Sequence, residues 1–476
     1  MVRTLIQCLI ALSLFVTPSS ARAPLDLESE YAAAKQELLP KLTAFAEWCG
    51  SVKLYLERDR AFEALLRFDP SNETAHRALK HTLQRDGSWA VPEKRPEVRN
   101  YGSSLKEAVK RRAELVAEFR SRCVALVEAN KATLTPAARD ALYADVVAID
   151  GEDVASRALV GEVKRGEQWV LVESESAVGR RNALKDMIKA AVAGVPAPAA
   201  IEARSGEQNL GIAWTALLGN ARVRVLSSGG IEEARKVATM CSAAADVFKQ
   251  ISGASQDLPK DFTVYLMTTP VARDSFIGGW PGWSAEERTR LKTWAGSGVP
   301  GDVHIARWDA DEPRRLDGAV RHVLGLLTLL NFGYDHQKCA WAWEGVGLYL
   351  TRELVGTRYT WYSTGPSTGD SESKELLGKL MMTDVNWMNE CFQRAKRNKS
   401  PKIAALCERR IDQFGVDEIL TANAFAAYLI EGRPEALNGV FKRIAAEGSA
   451  KALAAALDVD MDKLDQRFVR WMSERK

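Results

Sequence analysis

The chain has 476 residues, 46% of them hydrophobic and 27% charged, with a formal charge of +3. These ordinary globular values exclude a disordered or fibrous chain, and the near balance of charge leaves no electrostatic footprint for nucleic acid. Basic runs such as Lys110-Arg111-Arg112 alternate with acidic residues and read as a solvated helix face.

Met1-Val2-Arg3, an apolar run from Leu5 to Val16, and Ala21-Arg22-Ala23 have the three parts of a secretory signal peptide over residues 1–23. About a dozen apolar residues fall short of the ~20 that span a bilayer. The expectation is therefore a secreted or periplasmic protein with no membrane span after cleavage. Cys8 leaves with the leader, and Cys49, Cys123, Cys241, Cys339, Cys391 and Cys407 remain. An even number in an exported chain permits disulfides. Cys391 and Cys407 are the first pair to test, since closing a loop of that size is worth ~3 kcal/mol; buried free thiols are the alternative.

Residues 24–100 form a helical region. Ala61, Leu65, Leu66 and Phe68 lie at helical spacing, Asp69-Pro70-Ser71-Asn72 makes a turn, and a second helix over 75–83 runs into the extended piece Ser88–Val91. Residues 101–195 repeat the arrangement: Leu142–Ile149, Asp150-Gly151, Arg157-Ala158-Leu159 and Trp169-Val170 parallel Arg77-Ala78-Leu79 and Trp89. Such helical-hairpin units bury their apolar faces on their neighbours, resemble tetratricopeptide arrays in the Asp-Pro turn and small-residue packing, and serve contacts. Gly194-Val195-Pro196-Ala197-Pro198 reads as a linker. Beyond it come a strand over 221–226, a long amphipathic helix over 231–251, strands over 261–267 and 302–307, and then mostly helices. Strands followed by helices predict an α+β fold.

Two segments carry the chemistry. One is a very apolar helix containing Arg321-His322-Val323-Leu324-Gly325-Leu326; the other, after a polar loop, reads Trp341-Ala342-Trp343-Glu344-Gly345. Together they resemble the core of the gluzincin, or peptidase MA-like, metallopeptidases. In that family H-E-x-x-H places two zinc-binding histidines one turn apart around a general-base glutamate, and a glutamate on the next helix is the third ligand. The resemblance covers residues 205–476. It is strongest to the peptidase-like domains that bacteria attach behind helical repeats, often described only as domains of unknown function. It implies a small mixed sheet with a mainly helical C-terminal part, in which Asn423–Ile430 and Asp462–Trp471 are helices.

The departures decide the functional expectation. His322 holds the first histidine position and Glu344 the third-ligand position, but Val323 replaces the base and Leu326 the second histidine. Two ligands make a weak zinc site, and general-base assistance alone is worth ~10²–10⁴-fold. The expectation is a non-catalytic pseudopeptidase needing no cofactor, in which Glu344 hydrogen-bonds His322. It would bind a peptide, protein or cell-envelope partner, or serve as a structural component. The alternative is a zinc metallohydrolase that uses His322, Glu344 and either His304, on a predicted edge strand, or His336, in the loop. His304, His336, Trp341, Trp343 and Tyr349 are also the residues with which a retained cleft would bind, core packing being the other role open to the aromatic residues. The Gly278–Gly282 and Gly296–Gly298 stretches are expected to be mobile loops over it. No Gly-x-Ser-x-Gly or dinucleotide fingerprint supports another enzyme class.

Overall fold

The computed structural model describes residues 26–93, 97–300, 304–333, 337–361, 371–447 and 449–475. The expected signal peptide lies outside them. The chain divides into two compact units, Met1–Glu162 and Val163–Lys476.

The first unit begins with α1 (Leu27–Ser51), α2 (Tyr55–Phe68) and α3 (Glu73–Ala78), followed by a hairpin of β1 (Thr82–Leu83) and β2 (Trp89–Ala90). Then come α4 (Leu105–Ala129), α5 (Pro136–Ile149) and α6 (Val154–Leu159), and the two-stranded sheet of β3 (Glu162–Arg165) and β4 (Gln168–Leu171), which straddles the division. Both segments singled out in the sequence thus run helix, short helix, paired strands. The short helices start alike: Asn72 accepts from Ala75 N at 3.0 Å and Asp153 from Ser156 N at 2.8 Å, each satisfying an orphan donor of the first turn. Leu38, Leu42 and Phe45 of α1, Phe62 and Leu65 of α2, and Val116 and Phe119 of α4 share one apolar cluster.

The second unit opens with α7 (Val172–Gly194), β5 (Ala199–Ala200), α8 (Ser205–Gln208), β6 (Ala216–Gly219), β7 (Arg224–Ser227) and α9 (Ile231–Ser252). Next are β8 (Thr263–Leu266), α10 (Pro270–Gly279), α11 (Ala285–Leu291), β9 (Gly296–Gly298) and β10 (Ile305–Arg307). The rest is helical: α12 (Glu312–Phe332), α13 (Ala340–Val355), α14 (Ser371–Leu380), α15 (Trp387–Lys396), α16 (Ile403–Glu408) and α17 (Val416–Ala427). A π turn over Tyr428–Gly432 leads to α18 (Pro434–Glu447), α19 (Ser449–Leu457) and α20 (Met461–Glu474). A helix-rich chain with small sheets is an α+β protein.

The sheet order is β5-β6-β7-β8-β10-β9. β7, β8 and β10 are parallel, while β5, β6 and β9 pair antiparallel. Period-2 alternation splits its faces. Val225, Val264 and Ile305 join the cluster with α9 and α12, whereas Leu226, Tyr265 and Ala306 join the one with α10 and Trp283.

Three expectations change here. The Gly194–Pro198 stretch does not part the compact units, because α7 buries Ala177, Leu184 and Ile188 in the same cluster as α9, and β5 pairs with β6. The strand 302–307 is not the edge, because β9 lies outside it. Gly296–Gly298 is that edge strand rather than a mobile loop: a side chain at Gly296 would meet Ala306 O at 2.5 Å, so only glycine lets the two strands close. Gly278 and Gly279 end α10.

All six remaining cysteines are buried free thiols, so the Cys391–Cys407 pairing is replaced by two thiols on different helices. Cys391 lies within sulfur hydrogen-bond reach of the Thr421 hydroxyl, at 4.0 Å.

Candidate functional site

Asp311 caps α12 by accepting from Arg314 N at 2.9 Å, and Gly333, at φ 70°, ends it in the left-handed conformation that glycine adopts without strain. α13 ends the same way at Gly356, φ 84°. The helices approach closely because the contact positions are glycines. The Trp343 ring fills the space above Gly325, where a Cβ would lie 2.5 Å from it, and the Arg321 guanidinium does the same over Gly347, at 2.1 Å. Gly345 turns to α17, where a Cβ would stand 2.3 Å from Ala422 O.

Between the helices sits a buried ion pair that differs from the expected one. Arg321 Nη2 donates to Glu344 Oε2 at 2.9 Å and to Trp343 O at 2.8 Å, and both side chains are fully removed from solvent. The expected hydrogen bond from His322 to Glu344 is therefore corrected to an ion pair with the preceding residue. Sequence reasoning passed over Arg321, although a signal was there. It is the one strong cation in the apolar run Gly318–Leu330, and Glu344 is the one carboxylate in Ala340–Leu350; two buried charges so placed have to meet.

His322 bonds along its own helix, with Nδ1 2.9 Å from Gly318 O. A carbonyl only accepts, so Nδ1 carries a proton. Burial, and then the nearby Arg307 guanidinium, push the imidazole down to about 3 from its ordinary value of 6.5. The residue keeps some surface in contact with solvent, so the packed ring and the cation together set the direction. Arg307 comes from β10, lies against Gly318, and is held by Asp309 Oδ2 at 2.6 Å.

This shift has a measurable consequence. Because the folded state resists the proton that the unfolded chain accepts, the unfolded chain binds more protons between about pH 3 and 6.5, and stability falls as pH falls through that window. The loss is at most roughly 1.4 kcal/mol per pH unit. Urea unfolding at pH 7 and pH 5 is expected to show a steeper decline for the native chain than for His322→Gln. Equal slopes would remove His322 from the account.

Among the described residues, the other expected site residues lie elsewhere. His304 precedes β10 and shares the parity of Ala306; its Nδ1 accepts from Thr263 N at 3.2 Å and its ring lies 6.1 Å from Tyr265, on the sheet face opposite α12. His336 lies outside the described residues. Trp341 is fully buried with its ring 5.3 Å from Phe425, Trp343 is buried between α12 and α13, and the Tyr349 hydroxyl donates to Glu431 Oε1 at 2.8 Å. These aromatic residues pack in the core, the second of the two roles open to them, and do not line an open cleft. Among the described residues no group of three or more His, Cys, Asp or Glu is placed to hold a metal ion. No family model matches this chain, and no curated protein or solved structure does.

Proposed function

We propose that the chain is an exported pseudopeptidase, a gluzincin-like scaffold behind helical-hairpin repeats that works as a binding or structural protein for a peptide, protein or cell-envelope partner. The observation that supports this most directly is the Arg321–Glu344 pair. In the resembled family that glutamate serves a divalent cation; here a guanidinium fixed on the facing helix takes its charge. Among the described residues the remaining donor set suits zinc poorly, because His322 offers one nitrogen beside two arginines and Leu326 offers none. Val323, fully buried, cannot take a proton from water. That no helix among the described residues is long and apolar enough to cross a membrane is compatible with an exported protein that has no span.

Metal analysis of the purified chain after zinc loading, with a general peptidase assay, tests the reading. Well under one equivalent of zinc and no hydrolysis are expected. Stoichiometric zinc that is lost in His322→Ala would refute it.

A further inference from the structure

Arg358 follows α13 and is tucked between α15 and α17. Its guanidinium carbon lies 4.0 Å from the centroid of the buried Trp387 ring. Its hydrogen bonds are few and long: Nη1 to Asn423 Oδ1 at 3.4 Å and Nη2 to Val385 O at 3.4 Å. Both acceptors are neutral. Arg352 lies in the same groove, with Nη2 on Thr383 O at 3.2 Å and Nη1 on Gly356 O, again neutral acceptors. Among the described residues neither arginine forms an ion pair, and Glu353, whose charge acts on Arg358, makes no hydrogen bond to it. Asn423 is 97% buried, and its Nδ2 finds no acceptor.

A guanidinium keeps its charge near neutral pH, so these two half-buried groups with a spare amide donor form a cradle that lacks a counter-charge among the described residues. The buried arginines of this unit show the contrast: Arg307 pairs with Asp309 at 2.6 Å, Arg315 with Glu233 at 2.6 Å, Arg321 with Glu344 at 2.9 Å, and Arg394 with Asp417. The backbone around Arg358 is built to hold it in place. Asp317, fully buried on α12, accepts from Thr357 Oγ1 at 2.7 Å, Tyr359 N at 3.0 Å and Thr360 N at 2.9 Å, and so pins the residues on either side. Burial and the adjacent Arg352 also push the Arg358 guanidinium down to about 9, the direction expected of a cation short of an anion.

We propose that Arg358, Arg352 and Asn423 form a binding site for an oxyanion, the carboxylate or phosphoryl group of a ligand, received by the guanidinium edge while its face rests on Trp387. The groove beside them is lined by Gly356, Thr357, Tyr359 and Thr383; the Thr357 hydroxyl and Tyr359 N are already committed to Asp317, so the two guanidinium groups are the donors that an anion there would meet. The site is separate from the α12–α13 ion pair and does not depend on the pseudopeptidase reading.

Thermal unfolding of the full chain at constant ionic strength tests it, comparing sodium phosphate, sodium acetate and sodium chloride. Phosphate or acetate is expected to raise the midpoint saturably over chloride, by roughly 5 °C at a hundredfold excess over its dissociation constant. A response to phosphate alone identifies a phosphoryl ligand, and a response to acetate a carboxylate. Arg358→Gln is expected to abolish the response. Asn423→Asp, which places a carboxylate beside Arg358 without changing size, is expected to raise the midpoint in chloride and erase the anion effect, and it serves where Arg358→Gln does not fold. No excess over chloride in the native chain, or an anion response undiminished in either variant, would overturn the proposal.

Discussion

Arg321→Met is expected to destabilise the chain by about 3–5 kcal/mol, because it removes the guanidinium that balances the Glu344 carboxylate in an apolar interior. The pair itself is not the source of that cost. Taking both ions out of water consumes most of what their attraction returns, so replacing both by apolar groups of similar volume can be neutral or better. Arg321→Met with Glu344→Leu is therefore expected to recover most of the loss. Guanidinium chloride unfolding of the two single variants and the double variant completes the cycle. A double variant as unstable as the worse single one would mean that the pair holds α12 and α13 in register, beyond neutralising itself.

Removing α20 is expected to abolish folding of the second unit. The helix buries Leu464, Phe468, Trp471 and Met472, and at about 1.5–3 kcal/mol per side chain that approaches the whole stability of a domain. Its polar contacts reach far in sequence. Arg467 forks onto both oxygens of Glu173, Arg475 Nε donates to Glu431 Oε2 at 2.6 Å, and Glu474 Oε2 accepts from Leu171 N at 2.9 Å. A chain ending at Asp460 should lack cooperative unfolding by circular dichroism. Trp471→Ala in the full chain should lose ~3–5 kcal/mol while keeping the fold. A cooperative transition in the truncated chain would show α20 to be peripheral.

The parts of this fold that were legible in the sequence are those with strong periodicity or strong punctuation. The long helix over 231–251 is α9 within a residue, and strands over 261–267 and 302–307 contain β8 and β10. What was hidden depends on partners that no local pattern encodes. β5 is only two residues long, and β9 is the sequence Gly-Ser-Gly, which carries no β propensity and is a strand only because β10 pairs with it. At the site, positions 322, 323, 326 and 344 aligned readily with a motif, but the motif directed attention to ligand positions and past Arg321, whose significance lies in what it faces. The aromatic residues failed as cleft residues for a related reason. Composition cannot tell a tryptophan lining a groove from one filling the contact between two glycine-rich helices, and Trp343 over Gly325 is the latter.

The six thiols have a further consequence for how such a chain matures. Burial pushes Cys49 up to about 11 and Cys123 and Cys391 up to about 12, so the thiolate that reacts in disulfide exchange is scarce at each of them. Once the chain is folded, these thiols are shielded from exchange with the redox couples of its surroundings.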